Sequence, residues 1–151
     1  MGCCNTSSGK CSGKGCLVSG LVVAVAFFLM DMFFHHKCMG ALYQANMSLF
    51  RPMETAQGLF PYMYVGYLLF GMIFTCIFSK GYEAGKANWL QGIRFGFWIG
   101  LLYWGAGQLL MYPFCPYPNA IYLGWFAIGM TEFVVLGLIT GLLYKGNSAT
   151  A

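Results

Sequence analysis

Charged side chains are scarce in this sequence. The 151 residues include four acidic and eight basic side chains, so 8% of the chain is charged, whereas a soluble domain has roughly 25%. A soluble helical bundle also needs a polar face on each helix, and long stretches of this chain have none. With 59% apolar residues, the composition argues against a soluble domain and predicts an integral membrane protein.

Runs of like charge and the usual catalytic patterns are missing as well. The net charge of +4 comes from scattered residues, so no basic patch favours nucleic acid, and we expect no nucleic-acid partner. The chain has no H-E-x-x-H and no glycine-rich phosphate loop. We therefore expect no catalytic residues, and the sequence requires no cofactor or metal.

Cysteines are present, but not in a metal or redox pattern. None of the seven forms a C-x-x-C, and four lie in residues 1–16, a segment rich in Gly, Ser and Lys. We predict that this segment is a disordered cytoplasmic tail with reduced thiols, and metal binding by these thiols is the alternative. Met1 to Thr6 also match the N-myristoylation pattern, which matters only in a eukaryote.

Four long apolar stretches follow the tail. Because about 20 apolar residues span a bilayer, we predict four membrane spans at about residues 17–37, 59–79, 89–112 and 120–144. They form a single domain, residues 17–145, with a short tail at 146–151. Whether the first helix stops near Lys37 or continues along the membrane surface to about Phe50 is open, since Arg51-Pro52 is the first strong break. The predicted fold is all-α, an integral membrane four-helix bundle.

The distribution of Lys and Arg predicts the orientation of this bundle. One side carries Lys10, Lys14, Lys80, Lys86 and Lys145, and the other side carries Lys37 and Arg51. By the positive-inside rule, the side with more positive charge faces the cytoplasm. Both termini are therefore predicted to be cytoplasmic.

Glycines recur at four-residue spacing in the last two spans. They are Gly92, Gly96 and Gly100 in the third span, and Gly137 and Gly141 in the fourth. Such spacing makes a flat strip that another helix backbone can approach closely. At about 1.5 Å rise per residue, the two strips lie at the same depth. We predict that the third and fourth spans pack along them, with a homodimer contact as the alternative.

A few polar side chains lie inside the apolar spans. Glu132 is near the middle of the fourth span, Asp31 is predicted at a similar depth in the first, and His35 follows Asp31 on the same helix face. Gln108 completes this candidate intramembrane polar site. An acidic group at a helix centre costs roughly 2.5 to 3.5 kcal/mol, so it marks a functional hypothesis. Hydrogen bonding between helices, a proton or ion path, and metal or haem ligation are the three interpretations.

Short motifs carry a resemblance that covers residues 20 to 145. They are Asp31-x3-His35, Arg51-Pro52, Lys80-Gly81-Tyr82-Glu83, Gly92-Ile93-Arg94-Phe95-Gly96, and Glu132 followed by Gly141-Leu142-Leu143-Tyr144-Lys145. In these motifs the chain resembles a group of small, uncharacterised bacterial membrane proteins with four spans. The resemblance implies a multi-pass protein of the bacterial inner membrane and attaches no activity. The cysteine-rich tail has no counterpart in that group.

Three functions are compatible with these patterns. The first is a non-catalytic accessory or structural subunit, acting as a homo-oligomer or within a larger membrane complex, with the lipid bilayer as its surroundings. The second is a small proton, ion or solute transporter that uses Asp31 and Glu132. The third is a metal- or haem-binding redox protein that uses His35, His36 or the cysteine tail.

Overall fold

The computed structural model describes residues 13–144 of the chain, and the regular elements within them are helices joined by loops, without a β-strand. The elements are α1 (Gly13–Cys38), α2 (Gly40–Ala45), a 3₁₀ turn (Met47–Leu49), α3 (Met53–Gln57), α4 (Phe60–Gly81), α5 (Asn88–Gly100), a π-helical segment (Leu101–Ala106), α6 (Gly107–Met111) and α7 (Asn119–Leu143). The predicted all-α class is confirmed. The predicted features of residues 1–12, including the lipidation pattern, and of residues 145–151 lie outside the described residues.

Among residues 13–144, three helices are long and apolar enough to cross a membrane: Cys16–Cys38, Phe60–Gly81 and Asn119–Leu143. At about 1.5 Å per residue they are roughly 33 to 38 Å long, and a bilayer core is about 30 Å thick. At most 39% of the most apolar stretch of each helix is buried. Large apolar faces of these helices are therefore exposed.

The stretch predicted as the third span is helical from Asn88 to Met111, but it is not one regular helix. Between Leu101 and Ala106 the backbone widens into a π-helical segment. In this segment Tyr103 stacks on Phe133, with ring centroids 5.5 Å apart. A π-helix closes its hydrogen bonds over five residues instead of four and is frequent at functional sites. It leaves no composition signal, so the apolar pattern predicts a uniform helix.

The first helix also differs from its predicted bounds. It begins at Gly13, so residues 13–16, predicted to belong to the tail, are helical. It ends at Cys38, and the possible extension toward Phe50 forms separate short elements, α2 and the 3₁₀ turn. Met39 at the break is buried and its sulfur packs against Gly124 of α7. The break turns α2 so that it returns toward α1 and α7.

The long elements form two antiparallel pairs. α1 packs on α4, α5 packs on α7, and α1 also contacts α7, which joins the pairs. The core between them is aromatic and aliphatic, and it consists of Val23, Phe27, Phe74, Phe133 and Leu136. A second cluster, built around Met39, Ile121 and Ile128, closes the end near α2.

Backbone contact at glycines holds the α5–α7 pair together. A methyl group on Gly96 would clash with the carbonyl oxygen of Phe133, and one on Gly92 would clash with the carbonyl oxygen of Gly137. Gly141 meets the backbone of Asn88 and Gly92 in the same way. We call the contacts of Gly92, Gly96, Gly137 and Gly141 the glycine seam. It fixes the position of the α7 segment that carries Glu132.

Two further glycine positions have different surroundings. Gly100, the fifth predicted packing glycine, faces the side chains of Met130 and Phe133 instead of a backbone. Gly71 of α4 lies against the backbone of Gly20 and Ala24 of α1. The contact between Gly20 and Gly71 was not predicted, because single glycines without a four-residue repeat carry no packing signal.

Candidate functional site

Asp31 of α1 accepts hydrogen bonds from two neighbouring side chains. The Tyr67 hydroxyl of α4 donates to Oδ2, and Nε2 of His35, one helical turn further along α1, lies 3.3 Å from Oδ1. The four-residue spacing places His35 on the same face of the helix, as predicted from i and i+4 geometry. Asp31 therefore links α1 to α4 through a polar contact inside the apolar region.

The hydrogen bonds continue from His35 into α2 and α7. Nδ1 of His35 bonds the Tyr43 hydroxyl, and the Tyr43 ring stacks on the imidazole with centroids 5.7 Å apart. The indole Nε1 of Trp125 donates to the same hydroxyl oxygen at 2.6 Å. We call Tyr67, Asp31, His35, Tyr43 and Trp125 the polar chain. It connects α4, α1, α2 and α7.

The chemistry of its members sets the direction of the hydrogen bonds. An indole N–H only donates, so the Tyr43 oxygen accepts from Trp125, and the Tyr43 O–H donates to Nδ1 of His35 when the imidazole carries its proton on Nε2. Burial raises the pKa of Tyr43 to about 12, which keeps this hydroxyl protonated at neutral pH. A neutral His35 that accepts at Nδ1 carries its proton on Nε2, facing Asp31. In this tautomer of His35 each hydrogen bond from Trp125 through Tyr43 and His35 is donated toward the next group, and the series ends at the Asp31 carboxylate.

Glu132 of α7 has very different surroundings. Its side chain is completely buried, and neither carboxyl oxygen has a hydrogen-bond partner among the described residues. The carboxyl group lies within electrostatic range of Asp31 and of the Tyr67 hydroxyl, without a bond to either. Residues 13–144 therefore give no support to the interpretation that Glu132 forms a hydrogen bond between helices.

Gln108 of α6 is not bonded to Asp31, His35 or Glu132. Its Nε2 atom and the indole Nε1 of Trp104, one turn earlier, are both buried without a hydrogen-bond partner in residues 13–144. The Trp104 indole packs directly over Gly129, which lies one turn before Glu132 on the same face of α7. Two unpaired donors therefore lie along the helix interface that also carries an unpaired acid.

Two cavities adjoin these donors. The larger, of about 690 Å³, is lined mainly by α5, the π-helical segment, α6 and the start of α7. The smaller, of about 360 Å³, lies between α6 and the start of α7. Trp104, Gln108 and Tyr122 line both cavities, so these three side chains form the wall between them.

Metal ligands are not brought together in the part of the chain that the structure describes. No group of three or more His, Cys, Asp or Glu side chains there is arranged to hold a metal ion. Cys3, Cys4 and Cys11 of the proposed tail site lie outside the described residues. The metal- and haem-binding interpretation thus stays a prediction from the sequence.

Several residues of the site were not singled out from the sequence. Tyr43, Tyr67 and Trp125 belong to the polar chain, but their positions looked like those of ordinary membrane aromatics. Gln91 is also buried, and its amide bonds the backbone of Glu83 and Lys86, which closes the loop between α4 and α5. The sequence offers one signal for such residues, which is a polar aromatic side chain inside an apolar span, as at Tyr67. A buried hydroxyl usually has a hydrogen-bond partner, so this position predicts a polar contact.

Comparisons with known proteins give no match to any protein-family model, curated protein or solved structure. The resemblance to small bacterial four-span proteins stays a prediction from the sequence motifs.

Proposed function

We propose that the chain is a multi-pass protein that crosses a bacterial plasma membrane four times, with both termini in the cytoplasm. The stretch from Asn88 to Met111 supports a fourth crossing, because it packs antiparallel on α7 along the glycine seam. At about 1.5 Å per residue, it is roughly as long as α7. Lys80 and Lys86 lie at the proposed cytoplasmic end, and Lys37 and Arg51 lie at the other. Lys14 lies in the first turn of α1, whereas Lys10 and Lys145 fall outside the described residues.

We further propose that Glu132 and Asp31 form an acidic centre that exchanges protons, so that the chain acts as a small proton or cation transporter. The observation that carries this proposal is the Glu132 carboxyl, fully buried with both oxygens unpaired in the described chain. A buried polar group without a partner costs about 1 to 3 kcal/mol. An acid that is costly and adds no hydrogen bond to the fold is explained by a role in function.

The two acids favour opposite protonation states. Asp31 accepts from Tyr67 and His35, which stabilises its charged form. Glu132 has no donor to stabilise a charge, so its neutral, protonated form is the less costly one when buried. The proton therefore rests on Glu132, and its transfer to Asp31 is an uphill step that a proton gradient or a membrane potential would have to drive.

A route to the surface begins at Asp31. The side chains of Asp31 and His35 are 16% and 22% exposed, whereas Glu132 is 0% exposed. A proton that leaves Glu132 for Asp31 therefore reaches groups that contact the exterior of the bundle. The imidazole of His35 is suited to the next transfer, because a ring with two nitrogens can accept a proton at one and donate from the other.

Proton flux into liposomes tests this function. The purified protein is reconstituted with phosphatidylethanolamine and phosphatidylglycerol, with pyranine trapped inside, and a pH step is applied under a potential set by potassium and valinomycin. We expect flux several-fold above that of empty liposomes, and flux within about twofold of the empty level for Glu132→Gln. Glu54→Gln, which alters an exposed carboxyl of α3, is the control. Wild-type flux at the empty level, or full flux with Glu132→Gln, would contradict the proposal.

The second candidate is a non-catalytic accessory or structural subunit of a membrane complex. The polar chain favours it, because its hydrogen bonds join four helices and explain Asp31 and His35 as structural residues. Extraction in mild detergent, followed by light scattering, gives the mass of the intact assembly. A mass above that of the 16.7 kDa chain that is insensitive to Glu132→Gln is the result expected here, and a monomer contradicts it.

A further inference from the structure

A further cavity, of about 580 Å³, lies near the start of α5. Its walls are mainly apolar side chains of α5 and α7, among them Leu90, Phe97 and Val134, and the basic residues Lys86 and Arg94 also line it. We call this cavity the basic groove. Leu90 and Phe97 are 54% and 42% exposed, so the groove opens to the outside of the helix pair. Its volume is in the range of ligand pockets.

The two cations gather at the end of the groove that adjoins the loop between α4 and α5. Lys86 precedes α5 and forms an ion pair with Glu83 of that loop. Arg94 lies about 9 Å along α5, but its Nη2 atom is 3.6 Å from Oε1 of the same Glu83, so its charged end reaches back toward the loop. Leu90 and Phe97 share the helix face of Arg94. The groove therefore has positive charge at the loop and an apolar wall beyond it, which is the order of a phospholipid.

A buried side chain fixes the loop that carries these charges. The amide of Gln91 accepts from the backbone N–H of Glu83 at 2.8 Å and donates to the carbonyl oxygens of Glu83 and Lys86 at 3.0 and 3.2 Å. The side chains of Glu83, Lys86 and Arg94 are 47 to 65% exposed. Because exposed ion pairs contribute little to stability, a headgroup phosphate can compete with Glu83 for both cations. Two cations and one carboxylate leave this cluster with one positive charge.

We propose that the basic groove binds one anionic phospholipid, with the headgroup phosphate at Lys86 and Arg94 and an acyl chain along the apolar walls. The inference rests on the proposed membrane location, which puts this loop at the cytoplasmic surface, where basic pockets beside membrane helices bind anionic headgroups. A zwitterionic lipid matches the apolar walls but not the positive charge. Proton exchange at Glu132 is not needed for this binding, so lipid binding and proton flux can fail separately.

Native mass spectrometry of the detergent-purified, full-length protein tests this assignment. Dioleoyl phosphatidylglycerol and dioleoyl phosphatidylcholine are added in equal amounts, because they share their acyl chains and differ in charge. We expect the first bound lipid to be phosphatidylglycerol about five times as often, the ratio that one positive charge near an anionic lipid supplies. Glycerophosphoglycerol, the headgroup without its chains, should not displace the lipid at equal concentration. Equal binding of the two lipids, or displacement by the headgroup alone, would overturn the proposal.

Charge variants of the cluster locate the site. Arg94→Gln and Lys86→Gln each leave the cluster neutral, so the preference for phosphatidylglycerol should fall to within about twofold of equal binding. Glu83→Gln leaves two positive charges and should raise the preference to about 25-fold. Arg51→Gln, which removes an exposed cation outside the groove, is the matched control and should keep the fivefold preference. If Arg94→Gln fails to fold, Lys86→Gln and Glu83→Gln decide. A preference that Lys86→Gln leaves unchanged, or that falls in Glu83→Gln or Arg51→Gln, contradicts the assignment.

Discussion

The α1–α4 pair and the α5–α7 pair hold their buried carboxyl groups in different ways. α1 and α4 also touch backbone to backbone at Gly71, but around Asp31 they meet through side chains. Phe27 lies against Tyr67 at 5.1 Å between ring centroids, and Tyr67 donates a hydrogen bond to Asp31. α5 and α7 meet backbone to backbone along the glycine seam. Where helices meet through side chains, a side chain such as Tyr67 can donate a hydrogen bond to a buried acid. Where they meet at glycines, no side chain is present to donate one.

The two pairs therefore differ in their buried polar groups: some form hydrogen bonds that stabilise the fold, and others have no hydrogen-bond partner within the described chain. In the α1–α4 pair the acid is bonded within the chain, and the buried polar group without a partner in residues 13–144 is the neutral hydroxyl of Thr75 on α4. Near the α5–α7 interface, Glu132, Trp104 and Gln108 have no hydrogen-bond partner in residues 13–144. Because buried polar groups are nearly always paired in native proteins, the second set is where binding or transfer is expected. Removal of the two acids, Asp31 and Glu132, should therefore change stability in opposite directions.

The largest effect is expected at the glycine seam. At Gly96 even a methyl group would clash with the carbonyl oxygen of Phe133. The larger side chain of Gly96→Leu therefore forces α5 and α7 apart. We expect loss of the folded protein, seen as aggregation in size-exclusion chromatography after detergent extraction. Gly66→Ala is the control, because nothing lies within 4 Å of the added methyl group, and alanine should stabilise α4 by about 0.5 to 1 kcal/mol. A monodisperse Gly96→Leu protein would show that the seam is not required.

Removal of Asp31 should destabilise the fold by a smaller amount. Asp31→Ala deletes the acceptor of both Tyr67 and His35 and should lower the free energy of unfolding by about 2 to 3 kcal/mol, since hydrogen bonds to charged groups are the strong ones. Thermal melting in detergent should fall by roughly 5 to 10 °C. Glu54→Ala, at an exposed carboxyl, should leave the melting temperature unchanged. Equal shifts in the two variants would contradict a structural role for Asp31.

Part of this picture is predictable from residue spacing alone. The four-residue repeats of Gly92 and Gly137, read with a fixed rise per residue, predict which helices meet and at which residues. The spacing of Asp31 and His35 predicts a shared helix face. Both predictions depend only on geometry within one helix, which the sequence determines directly.

The rest depends on how separate helices are rotated against one another. Tyr67 meets Asp31 only because α4 turns its hydroxyl toward α1, and Tyr43 meets His35 only because the break at Met39 turns α2 back. No local pattern encodes these rotations. The π-helical segment is similar, because it changes which residues face α7 without changing composition. The unpaired state of Glu132 follows from all of these contacts together and has no sequence signal.

Removal of the Glu132 carboxyl should raise the stability of the fold, whereas removal of Asp31 should lower it. Glu132→Leu replaces an unpaired buried acid with an apolar side chain of similar volume, so it should raise the free energy of unfolding by about 1 to 2 kcal/mol. The melting temperature in detergent should rise by a few degrees, while proton flux is lost. A fall in melting temperature would show that Glu132 bonds a group needed for folding and would remove the contrast between the two acids.

The smallest effect is expected at the far end of the polar chain. Tyr43→Phe removes the hydroxyl that bonds His35 and accepts from Trp125, and should lower stability by about 1 kcal/mol, because hydrogen bonds between membrane helices average about 0.6 kcal/mol each. Tyr62→Phe, at a side chain that is 76% exposed, is the matched control. In an Asp31→Ala background the cost of Tyr43→Phe should shrink, because His35 no longer has a carboxylate to orient it and a double-mutant cycle measures that coupling. Fully additive costs would mean that the five side chains are separate contacts, and the α1–α4 pair would then be held by pairwise bonds instead of a connected chain.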